Sequence, residues 1–158
     1  MSHELRVLPV EGMPEVSEGT KVGALIAERA ELQGGDMVVV SQKIVSKAEG
    51  QVRRLADVTA SERAQQLGKK LGKESALVEL ILSESREILR EERGVLIVET
   101  HHGFVCANAG IDSSNLPENG TVCLLPENPD ASARRIRTEL TTTVEETGVG
   151  VSRHSSLL

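Results

Sequence analysis

Aromatic side chains are almost absent from this chain: Phe104 is the only one, with no Trp and no Tyr. The interior must then be aliphatic, built from Val, Leu, Ile and Ala, and base stacking on aromatic platforms is nearly excluded. A basic excess is missing too, since 18 Lys and Arg stand against 24 Asp and Glu for a net charge of −6. A nucleic-acid partner is not expected, because neutralising its backbone takes a basic surface; a local basic cluster can still hold a nucleotide. No apolar run approaches the length that spans a bilayer, so no membrane partner is expected. The opening MSHELRVLPVEG has no apolar stretch of a secretion signal. There is no CxxC and no Cys/His spacing of a zinc site; Cys106 and Cys123 fall in apolar, strand-like stretches and read as reduced, buried thiols of a cytoplasmic protein. What is present, 158 residues with 39% hydrophobic and 27% charged, suffices for one globular core or a core plus an arm.

The most informative stretch is His101–Asn115, HHGFVCANAGIDSSN. A strand-like run, Phe104–Ala107, leads into Asn108, Gly110, Asp112, Ser113, Ser114 and Asn115. Small residues let a backbone approach a ligand closely. A carboxylate among hydroxyl and amide oxygens suits a hard cation such as Mg²⁺ or Mn²⁺. A strand followed by an ordinary Asx/Ser turn explains the same residues, and locally it is the simpler reading. His101 and His102 can be ligands, acid/base groups or polar turn material.

Along the chain, Leu5–Val10 reads as a strand and Glu11–Glu15 as the turn that ends it. Val22, Leu25, Ile26 and Arg29 share one helical face, predicting a helix over Thr20–Leu32 that stops at Gly34-Gly35. Asp36–Ser41 reads as a buried strand, which gives the first third an α/β flavour. Lys43 and Lys47 follow, where open α/β sheets tend to place ligand sites; they fit phosphate as point charges, or simply a solvated surface. The GxxxxGK[ST] pattern of a P-loop is missing. Gln51–Val58 reads as a strand, and Thr59 with Glu62 as a capping box opening a helix that runs to Leu71 and stops at Gly72. Ser75–Ser83 is helical, Ser83–Arg93 is compatible with helix or strand, and Val95–Glu99 with Phe104–Ala107 forms a hairpin. Thr121–Leu125 is a short strand. Asp130 is the expected N-cap of a helix over Ala131–Glu146, with Ile136, Leu140 and Val144 on one stripe and Arg134, Arg135 and Arg137 in its first half. That basic face is either solvated or in contact with an anionic substrate. Val149–Val151 looks like the start of another strand, and residues 152–158 read as an irregular tail.

Four segments taken together, LPVEGMPEV, GDMVVVSQKIVSKAEG, HHGFVCANAGIDSSN and LLPENPDASARRIR, resemble the coenzyme F420-0:L-glutamate ligase (gamma-glutamyl ligase) family. The resemblance spans Val7 to Val151 in one order. It implies an α+β fold of mixed short strands and helices, in two parts rather than as a Rossmann sheet. It also implies a GTP-dependent ligase of coenzyme F420 biosynthesis that adds L-glutamate to F420-0 through an acyl phosphate, in a homodimer with Mg²⁺ or Mn²⁺ and often a monovalent cation such as K⁺. Carried over, the nucleotide-contacting turn matches Gly12, Met13, Pro14 and Glu15. A second nucleotide segment matches Gln42, Lys43 and Lys47, with Asn115 a further contact and Asp112 a divalent-metal ligand. No catalytic residue is assigned, since phosphoryl transfer of this kind needs positioning and charge neutralisation rather than a protein nucleophile.

One departure stands out. Past Val149–Val151 the family carries an Asp followed by Ser or Thr that completes the metal site, and here Ser152-Arg153-His154 occupies that place. Residues 1–151 are therefore expected to be the amino-terminal portion of a ligase domain, incomplete at the C-terminus. The alternatives are a catalytically inactive remnant or interaction module and, more remotely, a metal-dependent hydrolase built on Asp112 and the histidines.

Overall fold

In a computed structural model, the structure describes residues 5–92, 94–113, 120–147 and 156–157, with backbone only for 144–147 and 156–157. Its elements run α1 (Val22–Ala27), β1 (Met37–Val38), α2 (Gln42–Ala48), β2 (Val52–Arg54), α3 (Glu62–Leu71), α4 (Ser75–Ser83), β3 (Ser85–Glu92), β4 (Val95–Thr100), β5 (Val105–Ala107), β6 (Thr121–Cys123), α5 (Pro129–Thr147) and β7 (Ser156–Leu157). Strands β3, β4 and β5 form an antiparallel sheet in that order, β2 pairs antiparallel with β6, and β1 pairs parallel with β7. The class is α+β, as expected. No helix among the described residues is long and apolar enough to cross a membrane.

The aliphatic interior falls into two clusters with a smaller one between them. Val22, Ile26, Val38, Val45, Ile136 and Leu140 join α1, α2 and α5. Ala64, Leu67, Val78, Ile81, Leu96, Val98 and Ala109 join α3 and α4 to the hairpin sheet. Leu80, Val122 and Leu124 form the third, around β6. Burial of such aliphatic side chains stabilises by roughly 1.5–3 kcal/mol each before entropy is counted.

Several expected elements are corrected by their surroundings. Leu5–Val10 forms no strand; it has no pairing partner among the described residues, and Leu5, Val7 and Leu8 are exposed. The first helix is much shorter than Thr20–Leu32. It ends at Glu28, where the Arg29 guanidinium donates to the Leu25 carbonyl at 2.9 Å and takes up one of the orphan carbonyls of the last turn. Only Met37–Val38 of the expected strand is paired as a strand, and the lysine segment after it is a helix rather than a strand end. Gln51–Val58 is a strand for three residues and then a 3₁₀ turn over Leu55–Asp57.

Helix α3 is capped by Ser61 rather than Thr59: the Ala64 N–H donates to Ser61 Oγ at 3.3 Å, and Gly72 closes the helix in the left-handed conformation. Glu79 on α4 accepts from the Ser61 N–H at 2.8 Å, so the carboxylate half of the capping box comes from the next helix. At α5 the cap is Asn128, whose Oδ1 accepts from the Ala131 N–H at 2.9 Å, with Pro129 in the first turn. Asp130, the expected cap, lies inside that first turn, where a negative charge also suits the helix dipole. The Val144 side chain and Val149–Val151 lie outside the described residues.

Candidate functional site

Three separated segments converge beside α2. On a helix, residues four apart share a face, and Lys43 and Lys47 do so on α2. Lys43 Nζ lies 2.6 Å from Asp112 Oδ2. Lys47 Nζ lies 2.6 Å from Glu15 Oε1. Both lysines are well covered, with 19% and 12% of their side chains exposed. At such depth an ammonium keeps an anionic partner, because desolvation without one is costly.

The backbone aims Asp112. Asn108, Ala109 and Gly110 have φ of 51°, 56° and 69°, three successive left-handed residues of which only the last is glycine. Left-handed runs are disfavoured for L-residues and cluster at functional sites. Here the run is held by the core: Ala109 is buried, and the Ile111 N–H donates to the Asn108 carbonyl at 3.1 Å. The chain leaves this turn directly onto β6. The Asp112 N–H donates to the Cys123 carbonyl at 3.0 Å, and the Cys123 N–H donates to the Asp112 carbonyl at 2.7 Å. The turn after Phe104–Ala107 is thus more strained than an ordinary Asx/Ser turn.

Gln42 fixes the opposite side. Its Nε2 donates to Ser46 Oγ at 2.6 Å and to the Leu124 carbonyl at 3.0 Å, tying α2 to the end of β6. Ser46 is fully buried below the lysines. The turn at Gly12–Glu15 is anchored twice: Arg29 Nε donates to the Gly12 carbonyl at 3.1 Å, and Glu15 reaches Lys47. Gly12 itself has φ of 69°, the conformation that glycine adopts without strain. Met13 is half-buried against the α1–α2–α5 cluster, while Pro14 is exposed. Asn115 lies outside the described residues. Gln42, Lys43, Lys47, Asp112 and the Gly12–Glu15 turn therefore meet in one region.

The histidines do something else. His101 Nε2 lies 2.9 Å from the Ser83 carbonyl. His102 Nε2 lies 2.9 Å from the Pro126 carbonyl and 3.0 Å from that of Glu127, and its ring stacks on Phe104 with centroids 5.8 Å apart. With Nε2 facing carbonyl oxygens, it is the nitrogen that carries the proton. His102 thus holds the hairpin tip to the loop before α5, and His101 ties it to the end of α4. Cys106 and Cys123 are both free; Cys123 is buried and Cys106 only half-buried, and burial pushes both thiols up.

A separate cleft of about 450 Å³ opens on another face of α2, lined by Thr20, Val45, Glu49, Arg135, Ile136 and Glu139 among others. Arg135, one of the three arginines of α5, pairs there with Glu49. Neither lysine nor Asp112 lines this cleft.

Residue patterns named the lysines and the carboxylate but missed Arg29 and Ser46. Arg29 had a signal, since it fell on the apolar stripe of the first helix; buried Ser46 had none. As for a metal, no group of three or more His, Cys, Asp or Glu among the described residues is placed to hold one. Each ammonium here stands against one carboxylate, Lys43 against Asp112 and Lys47 against Glu15, an arrangement that fits a hard cation carried in by phosphates better than a resident ion.

The family model described as F420-0:Gamma-glutamyl ligase matches residues 12–152. A coenzyme F420:L-glutamate ligase of Archaeoglobus fulgidus is 42% identical over 133 residues, covering 84% of this chain and 53% of the relative. That of Methanothermobacter thermautotrophicus is 42% identical over 149 residues, covering 91% and 58%. That of Methanopyrus kandleri is 43% identical over 136 residues, covering 86% and 54%. The chain spans about half the length of the curated relatives it matches. With these matches covering most of its length and its α+β fold consistent with them, the chain belongs to the F420-0:gamma-glutamyl ligase family.

Proposed function

We propose that this chain takes part in the GTP-dependent addition of L-glutamate to coenzyme F420-0, with the Lys43–Asp112 region as its nucleotide and metal site. The observation that carries the reading is the 2.6 Å approach of Lys43 to Asp112, which joins the proposed phosphate-binding and metal-binding segments in one place. A carboxylate is a poor acceptor of an amine until one of its oxygens becomes part of a leaving group. A terminal carboxylate oxygen of F420-0 attacks the γ-phosphorus of GTP and GDP departs. The glutamate amine then attacks the acyl carbon, phosphate leaves, the amine's proton passes to solvent and an amide remains.

In this account Lys43 and Lys47 neutralise phosphate oxygens, and the Gly12–Glu15 turn, Gln42 and Asn115 contact the nucleotide. Asp112 takes Mg²⁺ or Mn²⁺. When bound, that ion spreads the charge developing on the phosphates. K⁺ is part of the proposal as a supporting cation, and so is a homodimer. For the dimer, Leu5, Val7, Leu8 and Val39 are apolar side chains more than two-thirds exposed and available for a second copy to cover.

A non-catalytic module of the same family is favoured by one fact: no group of three or more His, Cys, Asp or Glu among the described residues is placed to hold a metal. Mass spectrometry separates the two readings. F420-0 incubated with the chain, GTP, Mn²⁺ and L-glutamate is expected to gain the mass of glutamate, in a reaction abolished by Asp112→Ala. No gain, with a folded chain that binds GTP, would leave the binding module.

A further inference from the structure

We infer that the free site neutralises itself through the Lys43–Asp112 pair, and that this pair makes a divalent metal and a nucleotide bind as one unit rather than independently. The inference rests on the nucleotide reading above. Lys43 Nζ stands 2.6 Å from Asp112 Oδ2, and the two side chains are 19% and 38% exposed. A divalent ion approaching Asp112 alone meets an ammonium already in contact with its ligand. In a partly buried setting that repulsion is weakly screened. A phosphate approaching Lys43 alone meets the Asp112 carboxylate in the same way.

A nucleotide arriving with its metal removes both conflicts together. The lysine exchanges a carboxylate oxygen for a phosphate oxygen, and Asp112 exchanges the ammonium for the cation, so every charge keeps an opposite neighbour. No covalent bond changes. Lys47 and Glu15 repeat the arrangement at 2.6 Å; Glu15 is 73% exposed and is released into water at little cost. Asp112 has no such freedom of backbone, since it is bonded to Cys123 through both its N–H and its carbonyl. It must be freed by moving the lysine. Coupling of this kind is reciprocal: the factor by which nucleotide tightens metal is the factor by which metal tightens nucleotide.

The test is the electron paramagnetic resonance signal of free Mn²⁺, titrated with the full chain, with and without the β,γ-imido analogue of GTP. The wild-type chain is expected to bind Mn²⁺ weakly alone and about tenfold tighter with the analogue, within the usual range of coupling between sites. Lys43→Met, checked for folding by far-UV circular dichroism, should bind Mn²⁺ alone about tenfold tighter than wild type and lose most of the nucleotide enhancement. Equal Mn²⁺ affinity in the two proteins overturns the inference, while analogue-dependent Mn²⁺ uptake by wild type would leave the nucleotide reading standing. If the analogue never adds to wild-type Mn²⁺ binding, the nucleotide reading falls and the coupling falls with it. Should Lys43→Met not fold, Asp112→Asn reports the other half of the exchange: binding of the analogue in EDTA should tighten about tenfold, and no change would overturn the inference.

Discussion

Gly23 and Glu139 fix how closely the two helices beside the lysine helix can approach. The Gly23 N–H, unpaired within its own helix, donates to Glu139 Oε2 at 2.8 Å, so a side chain of α5 caps α1 from across the interface. A Cβ on Gly23 would press on the Ile136 carbonyl and lie 2.6 Å from the Glu139 Cβ. The obstruction is helix backbone and not the end of a flexible side chain, so the helices have to part. Gly23→Ala should therefore destabilise the chain by about 1–3 kcal/mol, although alanine is the better helix former. Urea unfolding followed by far-UV circular dichroism should show a lowered midpoint with an unchanged slope. An unchanged or raised midpoint would mean that helix propensity outweighs the contact.

At the scale of elements, one carboxylate adds a pH-dependent tie between α3 and α4 beside their shared aliphatic core. The Ser61 hydroxyl, first, and the Ser61 N–H, second, hold the Glu79 carboxyl below its usual value of 4.5. A folded-state value below the unfolded one means that the unfolded chain binds more protons in acid. The resulting stability is present above about pH 4.5 and is lost as pH falls through the folded value. Glu79→Gln removes that dependence, so the stability gap between wild type and variant should be larger at pH 7 than at pH 3. A gap that does not change with pH would show that the charge of Glu79 contributes nothing.

Elements were readable wherever local chemistry alone decides them. Ser75–Ser83 and the stop at Gly72 follow from periodicity and from one left-handed glycine. Ser85–Glu92 resisted because of its bulges: register shifts after Ser85 and Ile88 turn Ser85, Ile88 and Glu91 inward at a spacing of three, which imitates a helix. Leu5–Val10 has the composition of a strand but no pairing partner among the described residues, and pairing is not written in a single segment. The site was legible as a set of residue types. Its closure was not, because which carboxylate meets which lysine is decided by the left-handed turn at Asn108–Gly110 and by the Asp112–Cys123 bridge.

For the whole molecule, the site lies where the α1–α2–α5 core meets the smaller cluster around β6. α2 belongs to the cluster of α1 and α5, and Asp112 is delivered from the β6 side, with Gln42 bonding across at 3.0 Å. Anything that loosens one core against the other therefore changes the spacing of lysine and carboxylate before it unfolds either. A ligand gripping both sides should stabilise the native chain by an amount that grows with the logarithm of its concentration over its Kd. The most direct test of the account is isothermal titration of GTP into the chain with Mn²⁺ present. The account predicts saturable binding at one site, weakened at least tenfold by Lys47→Ala, a loss of about 1.4 kcal/mol. A chain that is folded by circular dichroism yet gives no heat of binding, and no rise in melting temperature at saturating GTP and Mn²⁺, would contradict it.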